Sequence, residues 1–203
     1  NGAAGAGASQ DPVLATEGNL NNDIGVPQML LRLRRHHCYA VIEMGMNHIG
    51  EISYLTQLAK PAVALITNAG AAHIEGLGSV EAVARAKAEI FEGLDQQGTA
   101  IINADDMYAS LWRQYAGSRR IMDFGLREDA RVGAEYQTDA LMSRVTLKLP
   151  GGIAAVTLQV PGVHNIYNAL AAAAATAALG IDKELIARGL ESFQGVRGRM
   201  QKK

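Results

Sequence analysis

Short apolar runs alternate with amphipathic stretches as far as Gly125, and most of the runs stop at a polar or glycine-rich segment. Val13–Thr16 reads as a short strand, followed by the loop EGNLNNDIGVP, whose Gly18, asparagines and Asp23 suit a tight turn. Pro27 fits the first turn of a helix with Met29, Leu30, Leu31 and Leu33 on its apolar face, closed by Arg32, Arg34 and Arg35. The apolar run from Tyr39 is too short for a helix and reads as a buried strand ending on Glu43. Ile52, Leu55 and Leu58/Ala59 recur at helical spacing until Pro61, and AVALIT is a second buried strand leading into NAGAAHIEGLG. Ser79 suits the N-cap of a helix running through AKAEIFEGL, GTAIINADD is a further strand, and a helix around Leu111–Tyr115 precedes the strand RRIMDFG.

That alternation predicts an α/β fold, a mostly parallel sheet flanked by helices. From about Arg131 the period changes to two, predicting a small antiparallel portion near residues 131–160 with a hairpin turn at Gly151-Gly152. An Ala-rich helix then opens with His164, Asn165 and Asn168, and a last helix starts after Asp182, which suits its N-cap, and runs to about Phe193. The chain has no internal repeats.

The polar segments hold the candidate chemistry. In open parallel sheets the ligand crevice lies beyond the carboxyl ends of the strands, where Glu43 can meet a ligand or metal; a helix cap or a solvated acid accounts for it equally well. Asn19, Asn21 and Asn22 exceed what one turn needs, and amide side chains also bind ligands. His73 alone in a loop is an ordinary surface residue, but neighbouring strands delivering Glu43 and His73 to one sheet edge suit a hard-metal or phosphate site. Lys87 lies on or beside an apolar helix stripe. Its spacing favours a snorkelling lysine, whereas burial would lower its pKa and let the neutral amine act as a nucleophile or take up carbon dioxide as a carbamate.

Composition narrows the classes. With 48% hydrophobic and 19% charged residues the chain is an ordinary globule, and a net charge of −1 supplies no field for nucleic acid or anionic membranes. The lone Cys38, the absence of a transmembrane-length apolar run and the absence of a leader pattern lead to the expectation of a cytoplasmic protein without membrane insertion. The small-residue stretch Asn1–Gln10 reads as a loop or linker, and both ends look cut from a longer protein.

The motifs T-x-GNLNNDIGVP from Thr16, VIEMGMNHIGEI from Val41, TNAGAAHIEGLGS from Thr67, AKAEIF from Ala86, NADD from Asn103, PGVHNIYNALAA from Pro161 and GRM from Gly198 occur in one order. In that order the chain resembles the central, ATP-binding domain of the Mur ligases of peptidoglycan synthesis, with a P-loop-NTPase-like fold, from about Asp11 to its end. GNLNND and EMGMNH resemble the branch that adds D-alanyl-D-alanine to UDP-N-acetylmuramoyl-tripeptide. The resemblance implies ATP and Mg2+ as cofactors, with Glu43, His73 and a carbamylated Lys87 as metal-binding and catalytic residues. It also implies His164, Asn165, Asn168 and Arg199 at the nucleotide, and Thr16, Asn19, Asn21 and Asn22 along the substrate cleft.

One departure weakens the match: no G-x-x-G-K-[ST] phosphate loop occurs in the chain. The expectation is therefore a piece lacking that loop, the N-terminal UDP-binding domain and the C-terminal domain, and inactive alone. Two other readings stand beside this one: a sister Mur ligase or folylpolyglutamate synthetase-like enzyme, and a non-catalytic binding module that lost its nucleotide chemistry.

Overall fold

The computed structural model describes residues 12–70, 74–127 and 130–195. Its elements alternate as the apolar pattern predicts. Strand β1 (Val13–Ala15) is followed by helix α1 (Gly25–Leu31), β2 (Tyr39–Val41) by α2 (Glu51–Ala59), and β3 (Val63–Ile66) by the short α3 (Ile74–Leu77) and α4 (Val80–Ala88). Strand β4 (Thr99–Asn103), α5 (Ala109–Ala116) and β5 (Arg120–Phe124) complete the α/β part. A meander of β6 (Gly133–Thr138), β7 (Ser143–Leu149) and β8 (Gly152–Leu158) precedes α6 (Val163–Ala178) and α7 (Lys183–Glu191).

Among the described residues the strands form two parallel sheets, β1-β2 and β3-β4-β5, and one antiparallel sheet, β6-β7-β8. A bridge between Phe124 and Val132 joins the end of β5 to the approach to β6. Leu149 pairs with Gly152, so the β7–β8 turn is Pro150-Gly151, one residue earlier than the pattern predicts. Two further expectations change. Among the described residues β2 pairs with β1 and β3 with β4, so the strands preceding Glu43 and His73 are not neighbours. Tyr39 and Val41 are also exposed rather than buried, because an apolar run does not reveal which elements cover it.

The core explains the placement of the helices. The Ile166, Leu170, Ala173 and Ala174 stripe of α6 packs with Ile101, Phe124 and Leu147 of the sheets. On the other side, Ala84 and Ala88 of α4 and Trp112 of α5 pack with Ala64, Ile66 and Ile102. Trp112 is fully buried, and its indole N–H donates to the Ala84 carbonyl at 3.0 Å, which satisfies the one polar atom that burial would otherwise orphan.

The helix expected to run unbroken from Ser79 instead passes at Glu89–Gly93 into a 3-10 turn. The cause is a tertiary competitor. The Thr56 hydroxyl donates to the Ile90 carbonyl at 2.8 Å, and the Leu94 amide turns to the Phe91 carbonyl instead. At the front of the helix Ser79 is the expected cap, accepting from the Ala82 amide at 3.1 Å.

Candidate active site at the strand ends

Glu43 leaves the end of β2 held on both sides by the loop after β1. Its amide donates to the Thr16 hydroxyl at 2.8 Å, and one carboxylate oxygen accepts from the Asn21 side chain at 2.9 Å. The Gly45 amide also donates to the Asn21 carbonyl at 2.7 Å. Two of the four expected cleft residues therefore orient the acid. Asn22 instead shapes the chain around it. Its side-chain oxygen accepts from the Ile24 and Gly25 amides at 3.2 and 2.8 Å, which makes it a turn and helix-entry residue. Asn19 is exposed, with its carbonyl accepting from the Asn21 amide. The Glu43 carboxylate remains exposed, as a metal or ligand contact requires.

The second half of the site lies beyond β3. Three consecutive residues there are pinned by three different side chains. The Asn103 amide donates to the Thr67 carbonyl at 2.9 Å, Lys87 Nζ donates to the Asn68 carbonyl at 2.7 Å, and the Ala69 amide donates to Asp106 at 3.0 Å. AKAE and NADD thus each contribute to fixing the start of the TNAGAAH loop. His73, further along that loop, lies outside the described residues, as do Arg199, the GRM segment and Asn1–Gln10. Where the chain is described again, a β-carbon on Gly76 would lie 2.7 Å from the Asn47 carbonyl oxygen. The segments following β2 and β3 therefore meet although the strands do not pair.

Lys87 is half-buried, and burial lowers its pKa, partly opposed by the negative charge of Asp106. Burial thus shifts the amine toward the neutral form, and its side chain is directed to the strand-end loop. As an ammonium it would repel a divalent cation, whereas the exposed Glu43 carboxylate fits one. Among the described residues no three His, Cys, Asp or Glu side chains gather as a metal would need, and no helix is long and apolar enough to cross a membrane.

Glu89 is a residue that sequence reasoning missed. It is buried, and its carboxylate accepts from the Gly50 amide at 2.8 and 3.0 Å and from the Ser53 amide at 3.1 Å. It thereby caps α2, whose own N-cap, Gly50, has no side chain to do so. The cap secures the segment that follows Glu43, where buried Met46 packs with Ile52, Val83 and Ala86. Removing it leaves two amides without an acceptor. Glu89→Ala is expected to cost about 1–3 kcal/mol in thermal or urea unfolding, and Glu89→Gln less because it keeps an acceptor; equal stability of all three proteins would refute the cap.

The remaining sequence candidates sit on α6. His164 is exposed with its ring folded over Gly162, and the Asn165 side chain donates to the Pro161 carbonyl at 2.7 Å. Asn165 and Asn168 line a cavity of about 490 Å3 between α6, α7 and the end of β8, with Leu158, Val160, Leu185, Leu190 and Phe193 among its apolar walls. Neither Glu43 nor Lys87 lines it. Its volume suits a small molecule or one moiety of a larger one.

The chain is similar to known proteins along nearly its whole length. The UDP-N-acetylmuramoyl-tripeptide–D-alanyl-D-alanine ligase of Escherichia coli K12 is 44% identical over 189 residues, which is 92% of this chain and 42% of that protein. The crystal structure of MurF from Acinetobacter baumannii superposes with a TM-score of 0.90 at 43% identity, covering 94% of this chain and 42% of that one. MurF ligase from Thermotoga maritima, solved in complex with ADP, gives 0.79 at 25% identity, covering 92% and 43%. The chain therefore spans less than half the length of these relatives. Residues 3–176 match the family described as Mur ligase middle domain, and on that match the chain belongs to the Mur ligase family.

Proposed function

We propose that this chain is the nucleotide-handling part of an ATP-dependent ligase that joins D-alanyl-D-alanine to UDP-N-acetylmuramoyl-tripeptide. The observation that carries the reading is an oriented, exposed Glu43 after β2 and a partly buried Lys87 of α4 bonded to the segment after β3, two segments that converge. A structural relic or simple binding module has no use for that arrangement, whereas phosphoryl transfer depends on positioning and charge neutralisation. The similarity to D-alanyl-D-alanine ligases along nearly the whole chain favours this substrate over those of a sister enzyme.

In the proposed reaction the γ-phosphoryl of ATP passes to the terminal carboxylate of the tripeptide and ADP leaves. The dipeptide amine then attacks the acyl carbon, loses a proton and expels phosphate. Magnesium, when bound, would neutralise charge on the transferring phosphoryl group. Glu43, His73 and a carbamylated Lys87 would hold it. Asn165, Asn168 and His164 would border the adenine end, and Arg199 would serve the nucleotide from the junction with the next domain. Thr16 and Asn21 keep Glu43 in place.

The test is a phosphate-release assay on the full-length protein with competing acceptors. Turnover with D-alanyl-D-alanine and none with diaminopimelate, lysine or glutamate is expected, and the reverse preference would transfer the chain to a sister enzyme. The 203-residue chain alone is expected to release no phosphate, because a triphosphate needs the backbone cradle and lysine of a phosphate loop that these residues do not include. Steady release by this chain, dependent on both substrates, would overturn that expectation.

A further inference from the structure

Asp105, in the NADD motif, has a role beyond closing β4. Its side chain is only 9% exposed, yet it joins three parts of the fold. One carboxylate oxygen accepts from the Leu126 amide, after β5, at 2.7 Å and from the Tyr167 hydroxyl, on α6, at 2.8 Å. The other is buried without a hydrogen bond among the described residues, 3.3 Å from Arg127 Nε. Gly125 covers the group so closely that a β-carbon there would come within 2.9 Å of it. Burial and the hydrogen bond to Asp105 push the Tyr167 phenol up to about 12, so it remains a donor across the working range.

Tyr167 lies between Asn165 and Asn168 in the opening turns of α6, whose N-cap, Gly162, supplies no side-chain bond. An α-helix turns about 100° per residue, so holding one side chain at this point fixes where its neighbours point. We infer that Asp105 is a positioning residue: through Tyr167 it sets the roll of α6 against the sheet and so directs Asn165 and Asn168 toward the nucleotide. This rests on the reading that α6 borders the nucleotide, and deepens it.

The test uses the full-length protein. Tyr167→Phe removes the hydroxyl and leaves the ring in place. The expected result is a KM for ATP raised about fivefold to tenfold, with kcat within about twofold and the KM values of both other substrates unchanged. Asp105→Asn keeps an acceptor for the Tyr167 hydroxyl and should raise that KM less, and the double variant should be no worse than Tyr167→Phe, because both changes act on one contact. If Asp105→Asn does not fold, Tyr167→Phe decides alone. An unchanged KM for ATP in Tyr167→Phe overturns the proposal, as does a fall in kcat and melting temperature without a selective rise in that KM. Asn168→Ala, run in parallel, separates the two claims. If it raises the KM for ATP while Tyr167→Phe does not, only the positioning role fails; if it has no effect, the nucleotide reading of α6 fails and the positioning role with it.

Discussion

Lys87→Ala is expected to lower the ligase activity of the full-length protein by on the order of a hundredfold or more, and added formate or acetate to restore part of it. The sign of a charge is what matters. Lys87 Nζ reaches the Asn68 carbonyl beside the strand-end site, and burial lowers its pKa. Carbon dioxide reacts only with the neutral amine, so the fraction able to form a carbamate grows as pH rises through that lowered pKa. Such a modification would exchange a cation for an anion and turn repulsion of magnesium into attraction. A small carboxylate entering the space left by Lys87→Ala supplies the same sign. Lys87→Arg keeps the cation and should respond to no carboxylate. Full activity of Lys87→Arg in carbon-dioxide-depleted buffer would return Lys87 to the role of a lysine that packs its stem and solvates its head.

Glu43→Ala should raise the magnesium concentration needed for half-maximal rate and cut turnover by about a hundredfold to a thousandfold. Stability should change little. The carboxylate is exposed, and the backbone bonds that fix this strand end, Glu43 amide to Thr16 and Gly45 amide to Asn21, survive the substitution. Asn21 loses one acceptor, and the exposed site lets water replace it. His73→Ala, tested beside it, should show the same magnesium dependence if the two side chains share the ion. Unchanged magnesium titrations in both variants would remove them from the metal site, and a large loss of stability in Glu43→Ala would make the acid a structural residue.

Much of this was legible in the amino-acid order, because it depends on local periodicity. The strand–helix alternation, the change to period two after Arg131, the Ser79 and Asp182 caps and the strand-end positions of Glu43 and Asp105 all follow from residues a few positions apart. The motif order was enough to suggest the family.

Whatever depends on partners far along the chain was settled by folding. Glu89 lies 39 residues from the Gly50 amide it accepts from, and Asp105 lies 62 from Tyr167, so neither bond leaves a local signature. The break of the Ser79 helix likewise needed Thr56, which lies 34 residues before Ile90. Strand pairing is of the same kind: the apolar content of Tyr39–Val41 marks it as a strand but specifies neither its partner nor its cover. Residue order alone established which side chains stand at the ends of the strands. Which of those ends converge emerged only in the folded chain, because hydrogen bonds between distant segments, not periodicity, set that arrangement.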